Sequence, residues 1–316
     1  MRVKKLAWVL AASLAPVVSG CGSGAEQGWS HTTTQVAPPA AAVATPAARR
    51  VRASKVLVVI EENHSFAQMK AGMPFLARKS HKYGYARHWT AIRHPSLPNY
   101  LAIAGGSTFG VTDDKAPAAH YSDIGSARSV FDQAVAAGKT ARTYAQSMPG
   151  SCHVFDHPDK AVAPPRYAVR HNPWVYFKAG RVACSADDVP VRAFKRDAKA
   201  NDLPDVGFLI PDLTHDAHSG SLSAADRWLR RKLTPVLASA DFTRGRLVVI
   251  VTADEDDHRA GNNVLTSVLT PALHHKVVGG PLNHYSLTRY IAEVLGVTPL
   301  GKGRTAPDLK TAFGLS

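Results

Sequence analysis

The chain has few cysteines and few acidic residues. Three cysteines occur among 316 residues, and none forms a Cys-x-x-Cys pair or lies in a Cys/His cluster, so zinc held by thiolates is excluded. The 24 acidic residues face 38 Lys and Arg, which gives a formal net charge of +14. Such a surface favours anionic partners, either phosphoesters or acidic lipid headgroups. The basic residues are scattered and no nucleic-acid-binding motif occurs, so we expect no nucleic acid partner.

A long apolar run is present only at the start of the chain. Three basic residues precede the run LAWVLAASLAPVV, which predicts a secretory signal over residues 1–20. The run ends in VSGC, which resembles the lipobox of bacterial lipoproteins and implies a lipid-modified Cys21. The predicted location is the extracytoplasmic face of a bacterial membrane, with a lipid anchor at Cys21. An ordinary signal with a chance cysteine would instead give a secreted protein.

The remaining chain divides into a polar segment and one long folded part. Residues 21–53 are rich in Ala, Pro, Thr and Ser and hold almost no large apolar side chains, which is typical of a flexible tether. Regular apolar runs fill residues 54–316, which predicts one catalytic domain, expected to be a monomer. Cys152 and Cys184 are the two cysteines of this part, and an even pair outside the cytoplasm suggests a disulfide.

Three β-branched apolar runs each end in a cluster of polar residues. These runs cover residues 55–61, 207–211 and 246–253, and helical patterns occupy residues 223–237 and 286–295. Ser223 and Asp226 resemble a capping box at the start of the first of these helices. The alternation predicts an α/β fold with a mostly parallel central sheet and helices on both faces. Because the carboxyl ends of parallel strands share one edge, the polar clusters should converge there.

The polar clusters contain the donors that a divalent cation requires. Carboxylate and amide oxygens suit Mg²⁺, Ca²⁺ or Mn²⁺, and imidazole widens the choice to zinc or iron. Several carboxylates facing one pocket would repel one another without a cation. We therefore predict a metal site at this edge, with oxygen ligands from Glu62, Asn63, Asp254 and Glu255, and with imidazole available from His218 and His284.

The stretch RHPSLPNYLAIAGG, residues 93–106, combines a rigid turn with a short apolar helix. Two prolines flank Ser96, which places its hydroxyl near a helix N-terminus, where unpaired N–H groups favour an anion. The simpler alternative is that Ser96 only caps the helix. A metal could activate the Ser96 hydroxyl as a nucleophile, and Asn99 could bind a phosphate oxygen.

Five ordered segments of the sequence resemble the phosphoesterase family of bacterial acid phosphatases and phospholipases C. These segments are VLVVIEENHSF, HPSLPNYLAIAGG, PD…HDAHSG, VTADEDD and NHYSL, and RYAVRHNPWVYF also matches. The resemblance implies an alkaline-phosphatase-like fold and a metal-dependent phosphomonoesterase. It implies Ser96 as the nucleophile that forms a phosphoseryl intermediate, and Asn99 and His171 in the phosphate pocket. It further implies that His218 and His284 transfer protons, and that the metal ligands are Glu62, Asn63, Asp254 and Glu255.

The sequence departs from the family pattern at two positions and leaves alternatives open. The family usually has Asn where this chain has Asp212, and Asp where it has Ser219. Asp212 and Asp216 therefore form a candidate second site, so we expect one or two divalent ions. The alternatives are a phospholipase C-type phosphodiesterase and a surface lipoprotein that only binds anionic ligands. No Cys-x-Pro-x-Arg run occurs, which argues against a sulfatase.

Overall fold

The structure of the protein is a computed structural model that describes Gly28 and residues 52–316. The predicted signal over residues 1–20, the predicted lipidation site at Cys21 and most of the predicted tether lie outside the described residues. No helix among the described residues is both long enough and apolar enough to span a bilayer.

Eight of the ten described strands form one sheet. The strands are β1 Lys55–Glu61, β2 Gly84–Ala86, β3 Trp89–Thr90, β4 Ala141–Ala145, β5 Asp188–Pro190, β6 Val206–Ile210, β7 Leu247–Ala253, β8 Thr266–Leu269, β9 Lys276–Val278 and β10 Leu282–Asn283. The order in the large sheet is β5-β4-β6-β1-β7-β8-β2-β9, and β3 pairs with β10 separately. Only β8 runs antiparallel to its neighbours, so the predicted mostly parallel sheet is confirmed.

The three predicted polar strand ends lie side by side. Strand β1 is central, and it pairs in parallel with β6 on one side and β7 on the other. Every residue of β6 and β7 is buried, which explains their continuous apolar sequences. Glu61 of β1 is opposite Ala253 of β7, so the residues that follow these two strands emerge together. We call this side of the sheet the catalytic edge.

Eleven described helices surround the sheet in two groups. They are α1 Phe66–Gly72, α2 Pro74–Lys82, α3 Ser96–Gly105, α4 Tyr121–Ile124, α5 Val130–Ala136, α6 Arg181–Asp187, α7 Phe194–Ala200, α8 Leu222–Leu237, α9 Ala240–Thr243, α10 His284–Leu295 and α11 Leu309–Phe313. Helices α3, α5 and α10 contact one another, and α1, α2 and α7 each contact α8. The apolar side chains of both groups and of the strands form one large core.

The predicted capping box of α8 is wrong. The N-cap residue is Ser221, whose side chain accepts a hydrogen bond from the N–H of Ala224. The carboxylate of Asp226 instead accepts hydrogen bonds from the N–H groups of Phe75 and Leu76, at 2.8 and 2.9 Å, and so caps α2. The sequence contains serine at both 221 and 223, and a distant helix end competes for the acid, so local spacing could not decide between them.

The predicted disulfide joins Cys152 to Cys184, with their Cα atoms 5.4 Å apart. Beside it, Asp188 at the start of β5 is fully buried. Its carboxylate accepts hydrogen bonds from the Thr143 hydroxyl and, at 2.8 Å, from Asn172 Nδ2. Burial raises the pKa of Asp188 to about 7, and these hydrogen bonds offset only part of the rise.

This pKa predicts a pH-dependent stability. The folded protein holds the Asp188 proton more tightly than the unfolded chain, so the contribution is complete below about pH 4 and is lost as pH rises through about 7. Asp188→Asn stays neutral, so its free energy of unfolding relative to the wild type should rise by roughly 2–4 kcal/mol between pH 4 and pH 8. Denaturant unfolding at each pH measures this, with the exposed Asp202→Asn as control. A difference that does not change with pH would contradict the assignment.

Candidate active site

Ser96 lies at the catalytic edge as the first residue of α3. The N-cap residue is Pro95, and the Ser96 side chain makes no capping hydrogen bond, so the interpretation of Ser96 as a helix cap is wrong. Its hydroxyl donates instead to Glu62 Oε2, at 3.2 Å. Both side chains are buried. The hydroxyl is thereby held against a carboxylate that follows the central strand.

Three acidic side chains and one histidine meet at this hydroxyl. Glu62 follows β1 and Asp254 follows β7, and the backbone N–H of Asp254 bonds to the last carbonyl of β1 at 3.0 Å. Asp216 comes from the loop after β6, and His171 from a short 3-10 turn, Val169–His171. His171 Nε2 is 3.3 Å from Glu62 Oε2, and His171 Nδ1 is 3.3 Å from Asp216 Oδ2. We call Glu62, His171, Asp216 and Asp254 the acidic cluster.

Burial dominates the electrostatics of the acidic cluster. It raises the pKa of Glu62 and of Asp216 well above the ordinary range, and raises that of Asp254 to about 7. Neighbouring carboxylates raise the pKa of Glu62 further, through Asp254 and Asp216. Burial likewise holds the pKa of His171 well below its usual value. These pKa shifts show that a negative charge is unfavourable in the buried acidic cluster unless a positive charge lies beside it.

The unpartnered atoms of the site fit a divalent cation. Asp216 Oδ2, Asp254 Oδ2, His171 Nε2 and the nearby Asn63 Oδ1 are buried without a hydrogen-bond partner among the described residues. The backbone N–H of Asn63 donates to the other carboxylate oxygen of Asp254 at 3.2 Å, which fixes the two residues together. Carboxylate oxygens, an amide oxygen and one imidazole nitrogen are a common ligand set for divalent metals. These residues are the candidate metal-binding groups.

Two sequence expectations about this cluster need correction. His171 was expected in the phosphate pocket, but it is wedged between Glu62 and Asp216 and stacks on Tyr100 with ring centroids 5.1 Å apart. Asp216 was expected at a second site, but it shares this cluster. The sequence could not show this, because both residues come from loops whose course no periodicity records.

Asp212, the other residue of the predicted second site, is already paired. Its carboxylate accepts a hydrogen bond from Ser147 Oγ at 2.6 Å. It also lies 3.1 Å from Arg166 and 2.8 Å from His215 Nδ1. A carboxylate that is already paired with Arg166 and hydrogen-bonded by Ser147 is a poor candidate metal ligand, so the structure gives no support to a second site at Asp212.

Asn99 and Glu255 contact each other and the residues that come just before Ser96. Asn99 Oδ1 accepts from the N–H groups of Ile92 and Arg93, and its Nδ2 donates to the Arg93 carbonyl at 2.6 Å. Its second amide hydrogen donates to Glu255 Oε2 at 3.1 Å. The other oxygen of Glu255 lies 3.2 Å from His94 Nδ1. These contacts occupy the amide group of Asn99, so they compete with its predicted phosphate-binding role, whereas Glu255 keeps oxygen lone pairs for its predicted metal-binding role.

His284 is a positioning residue in this geometry. Trp89 Nε1 donates to its Nδ1 at 3.1 Å, so Nδ1 carries no proton and Nε2–H donates to the carbonyl of Asp254 at 2.6 Å. Burial lowers its pKa to about 4. The ring is fully buried and cannot exchange protons with solvent, which does not fit the proton-transfer role predicted for His284.

Arg170 and His218 form the mouth of the site. His218 is exposed, and its Nε2 lies 3.2 Å from Arg170 Nη2. Arg170 Nε is 3.6 Å from Asp114, which also accepts from the N–H of Leu97 at the start of α3. Sequence reasoning quoted the segment that contains Arg170 but did not select it, because a lone arginine in a basic chain carries no signal. Tyr100, which donates to Glu62 Oε1, was interpreted only as core.

The fold of the chain is similar to that of solved structures. A protein in the alkaline phosphatase superfamily from Vibrio parahaemolyticus superposes with a TM-score of 0.54 at 12% identity, covering 84% of this chain and 72% of that one. A Pseudoalteromonas sulfatase gives 0.55 at 11% identity, with 84% and 72% covered. At this identity the likeness is one of fold alone. It confirms the predicted alkaline-phosphatase-like architecture.

Sequence similarity identifies the family, because the model of the phosphoesterase family matches residues 71–298. The chain belongs to the phosphoesterase family and is a phosphoric ester hydrolase. A phosphatidylinositol-3-phosphatase of Mycobacterium tuberculosis is 28% identical over 289 residues, which is 90% of this chain and 89% of the relative. The phosphate-repressible acid phosphatase of Penicillium chrysogenum is 29% identical over 229 residues, 68% of this chain. The chain spans about half the length of that fungal relative, since 52% of it is covered.

Two buried aspartates of the same loop test the assignment, because Asp216 belongs to the acidic cluster and Asp212 is paired outside it. Asp216→Asn should weaken Mn²⁺ binding by about a hundredfold, because it alters a carboxylate of the acidic cluster whose Oδ2 has no hydrogen-bond partner among the described residues. Asp212→Asn should leave Mn²⁺ affinity within about threefold, because that carboxylate is bound by Ser147, Arg166 and His215. Calorimetric titration with Mn²⁺ measures both affinities. Equal losses in the two variants would contradict the assignment of the ligands.

Proposed function

We propose that the protein is a metal-dependent phosphomonoesterase in which Ser96 is the nucleophile. The observation that carries the proposal is the position of the Ser96 hydroxyl, 3.2 Å from Glu62 Oε2 and next to three buried carboxylates and His171. A serine at a helix start, without a capping role, beside candidate metal ligands is the arrangement that nucleophilic phosphoryl transfer requires. The phosphoester hydrolase class of the family supports the same chemistry.

A divalent cation would be held by Asn63 and by the four residues of the acidic cluster, Glu62, His171, Asp216 and Asp254. When bound, that cation would neutralise the carboxylates and stabilise the negative charge of the reacting phosphate. In the first half-reaction the Ser96 oxygen bonds to phosphorus, and the bond from phosphorus to the alcohol oxygen breaks. The hydrogen bond to Glu62 gives the serine proton an acceptor. Water then attacks phosphorus, the bond to Ser96 breaks, and inorganic phosphate leaves.

The mouth of the site supplies the remaining groups. Arg170 is a permanent cation with its guanidinium 3.2 Å from His218, and it can form two hydrogen bonds to a phosphate oxygen pair. His218 is partly open to solvent. The burial of the rest of its ring and the charge of Arg170 lower its pKa, so the neutral ring can accept a proton from water. In the first half-reaction the protonated form of His218 would donate to the departing alcohol, and the neutral ring that results would take the proton of the attacking water in the second. We therefore retain His218 as the proton-transfer residue and assign phosphate binding to Arg170.

The substrate and location follow from the relatives and the leader sequence. The mycobacterial relative is named a phosphatidylinositol-3-phosphatase, so phosphoinositides and other phosphomonoesters are the proposed substrates. The signal over residues 1–20 and the lipobox at Cys21 support an exported protein with a lipid anchor.

Replacing the nucleophile tests the proposal. Ser96→Ala should lower kcat for p-nitrophenyl phosphate by about 10³-fold or more, because no hydroxyl remains to receive the phosphoryl group. Mn²⁺ affinity should persist, since the acidic cluster is intact. The control is Ser129→Ala, which removes another buried serine, one that caps α5. Near-normal turnover by Ser96→Ala would contradict the assignment.

Two further outcomes would change the proposed function. Faster turnover of phosphatidylcholine than of p-nitrophenyl phosphate would assign a phospholipase C-type phosphodiesterase. Binding of phosphoinositide headgroups with no turnover of any ester would instead favour the ligand-binding lipoprotein.

A further inference from the structure

The outer surfaces of α7 and α8 carry cations without acids. Their sequences, FKRDAKA and LSAADRWLRRKLTPVL, contain seven Lys and Arg and only two acidic residues. Both acids are buried: Asp197 is paired with Arg142 and Arg196, and Asp226 caps α2. No acidic side chain of either helix is left to balance the charge outside.

A groove of about 850 Å³ runs between these two helices. Its cationic lining is Lys195, Lys199, Arg230, Arg231 and Lys232, and its floor includes Phe194, Pro235 and Ala238. Within residues 52–316 none of the five cations pairs with a carboxylate, and the nearby charges of Arg231 and Lys195 together with burial lower the pKa of Lys232. We call these five cations and the surface they line the basic groove.

The basic groove lies at the end of the domain opposite the catalytic edge. Helix α7 ends just before β6 begins, and α8 starts beyond the carboxyl end of β6 and runs back along the sheet. The N–H of Ala240 donates to Asn201 Oδ1 at 2.7 Å, which joins the far ends of the two helices. The groove is therefore separate from the site at Ser96.

The chain also enters the domain at this end. Lys55, the first residue of β1, donates to the carbonyl of Leu203, just after α7, at 2.7 Å. Its ammonium also lies 2.8 Å from Asp241 in α9, just after α8. The described chain therefore begins at this end of the domain, where Arg52 also donates to the carbonyl of Glu293 in α10 at 3.4 Å.

We propose that the basic groove binds the anionic phospholipid headgroups of a membrane surface. Five unneutralised cations on neighbouring helices complement such a surface, where each Lys or Arg adds to the attraction. The described chain begins at the same end, and the sequence before it contains the predicted lipidation site at Cys21, which favours a membrane over a nucleic acid. The groove also offers no exposed aromatic ring for stacking on bases, because Phe194 is buried.

This docking fixes the orientation of the enzyme. With the basic groove against the membrane, the catalytic edge faces away from the bilayer to which the protein is bound. The site at Ser96 is then open to phosphoesters in solution. The docking itself does not depend on the proposed function, since the groove shares no residue with the acidic cluster.

Vesicle binding tests the docking in the full chain carrying Cys21→Ser, so that no lipid is attached. The groove variant combines Lys195→Gln, Lys199→Gln, Arg230→Gln and Arg231→Gln. The control removes four exposed cations elsewhere, by Arg87→Gln, Arg128→Gln, Lys178→Gln and Lys302→Gln. Both variants lose the same formal charge and keep the leader segment, so only the position of the lost charge differs.

The groove variant should bind vesicles of phosphatidylglycerol and phosphatidylcholine about a hundredfold more weakly than its parent, and the control within about threefold. Vesicles of phosphatidylcholine alone should not distinguish the two. Membrane-bound parent should turn over p-nitrophenyl phosphate as fast as free parent. Equal losses in both variants would overturn the proposal, as would groove-dependent binding of DNA without binding of anionic vesicles. Failure of turnover in every sample would count against the proposed function and leave the vesicle result standing.

Discussion

The site depends on the burial of three carboxylates in one place. Glu62, Asp216 and Asp254 are withdrawn from water and lie near one another, so their combined negative charge is unfavourable without a nearby cation. Hydrogen bonds do not offset this cost, because one oxygen each of Asp216 and Asp254 has no partner in the part of the chain that the structure describes. Burial of these carboxylates lowers the free energy of unfolding, and a bound divalent ion would raise it again. The same ion would lie beside the Ser96 hydroxyl. It would therefore both neutralise the buried carboxylates and take part in the proposed chemistry.

The parallel sheet makes this concentration of charge possible. Strands β6, β1 and β7 are neighbours with the same direction, so the residues that follow them leave the core together. Fully buried strands hold these ends rigidly, and His284 adds a further constraint by donating to the carbonyl of Asp254. The proposed nucleophile, Ser96, comes from a different layer, at the start of α3, where Asp114 accepts from the N–H of Leu97 and lies 3.6 Å from Arg170. The basic groove and the first described residues of the chain lie toward the opposite end of the domain.

Much of this plan could be predicted from the sequence, and the limits are physical. The β-branched runs before Glu62 and Asp254 indicated buried parallel strands, and parallel strands bring their ends together whatever the intervening chain does. The course of a loop is not fixed in this way. His171 was therefore expected in the phosphate pocket and Asp216 at a second metal site. Asn99 and Asp212 are residue types that suit phosphate or metal, but long-range partners occupy them. Arg170 and Tyr100 act through neighbours that are distant in sequence, so no local pattern identified them.

The central claim is that one cation shares the acidic cluster with the Ser96 hydroxyl. Anomalous diffraction from crystals grown with Mn²⁺ and soaked in phosphate tests it most directly. The account predicts an anomalous peak in contact with Glu62, His171, Asp216 and Asp254, with phosphate between that peak, Ser96 Oγ and Arg170. A strong peak at Asp212, or phosphate bound away from Ser96, would contradict it.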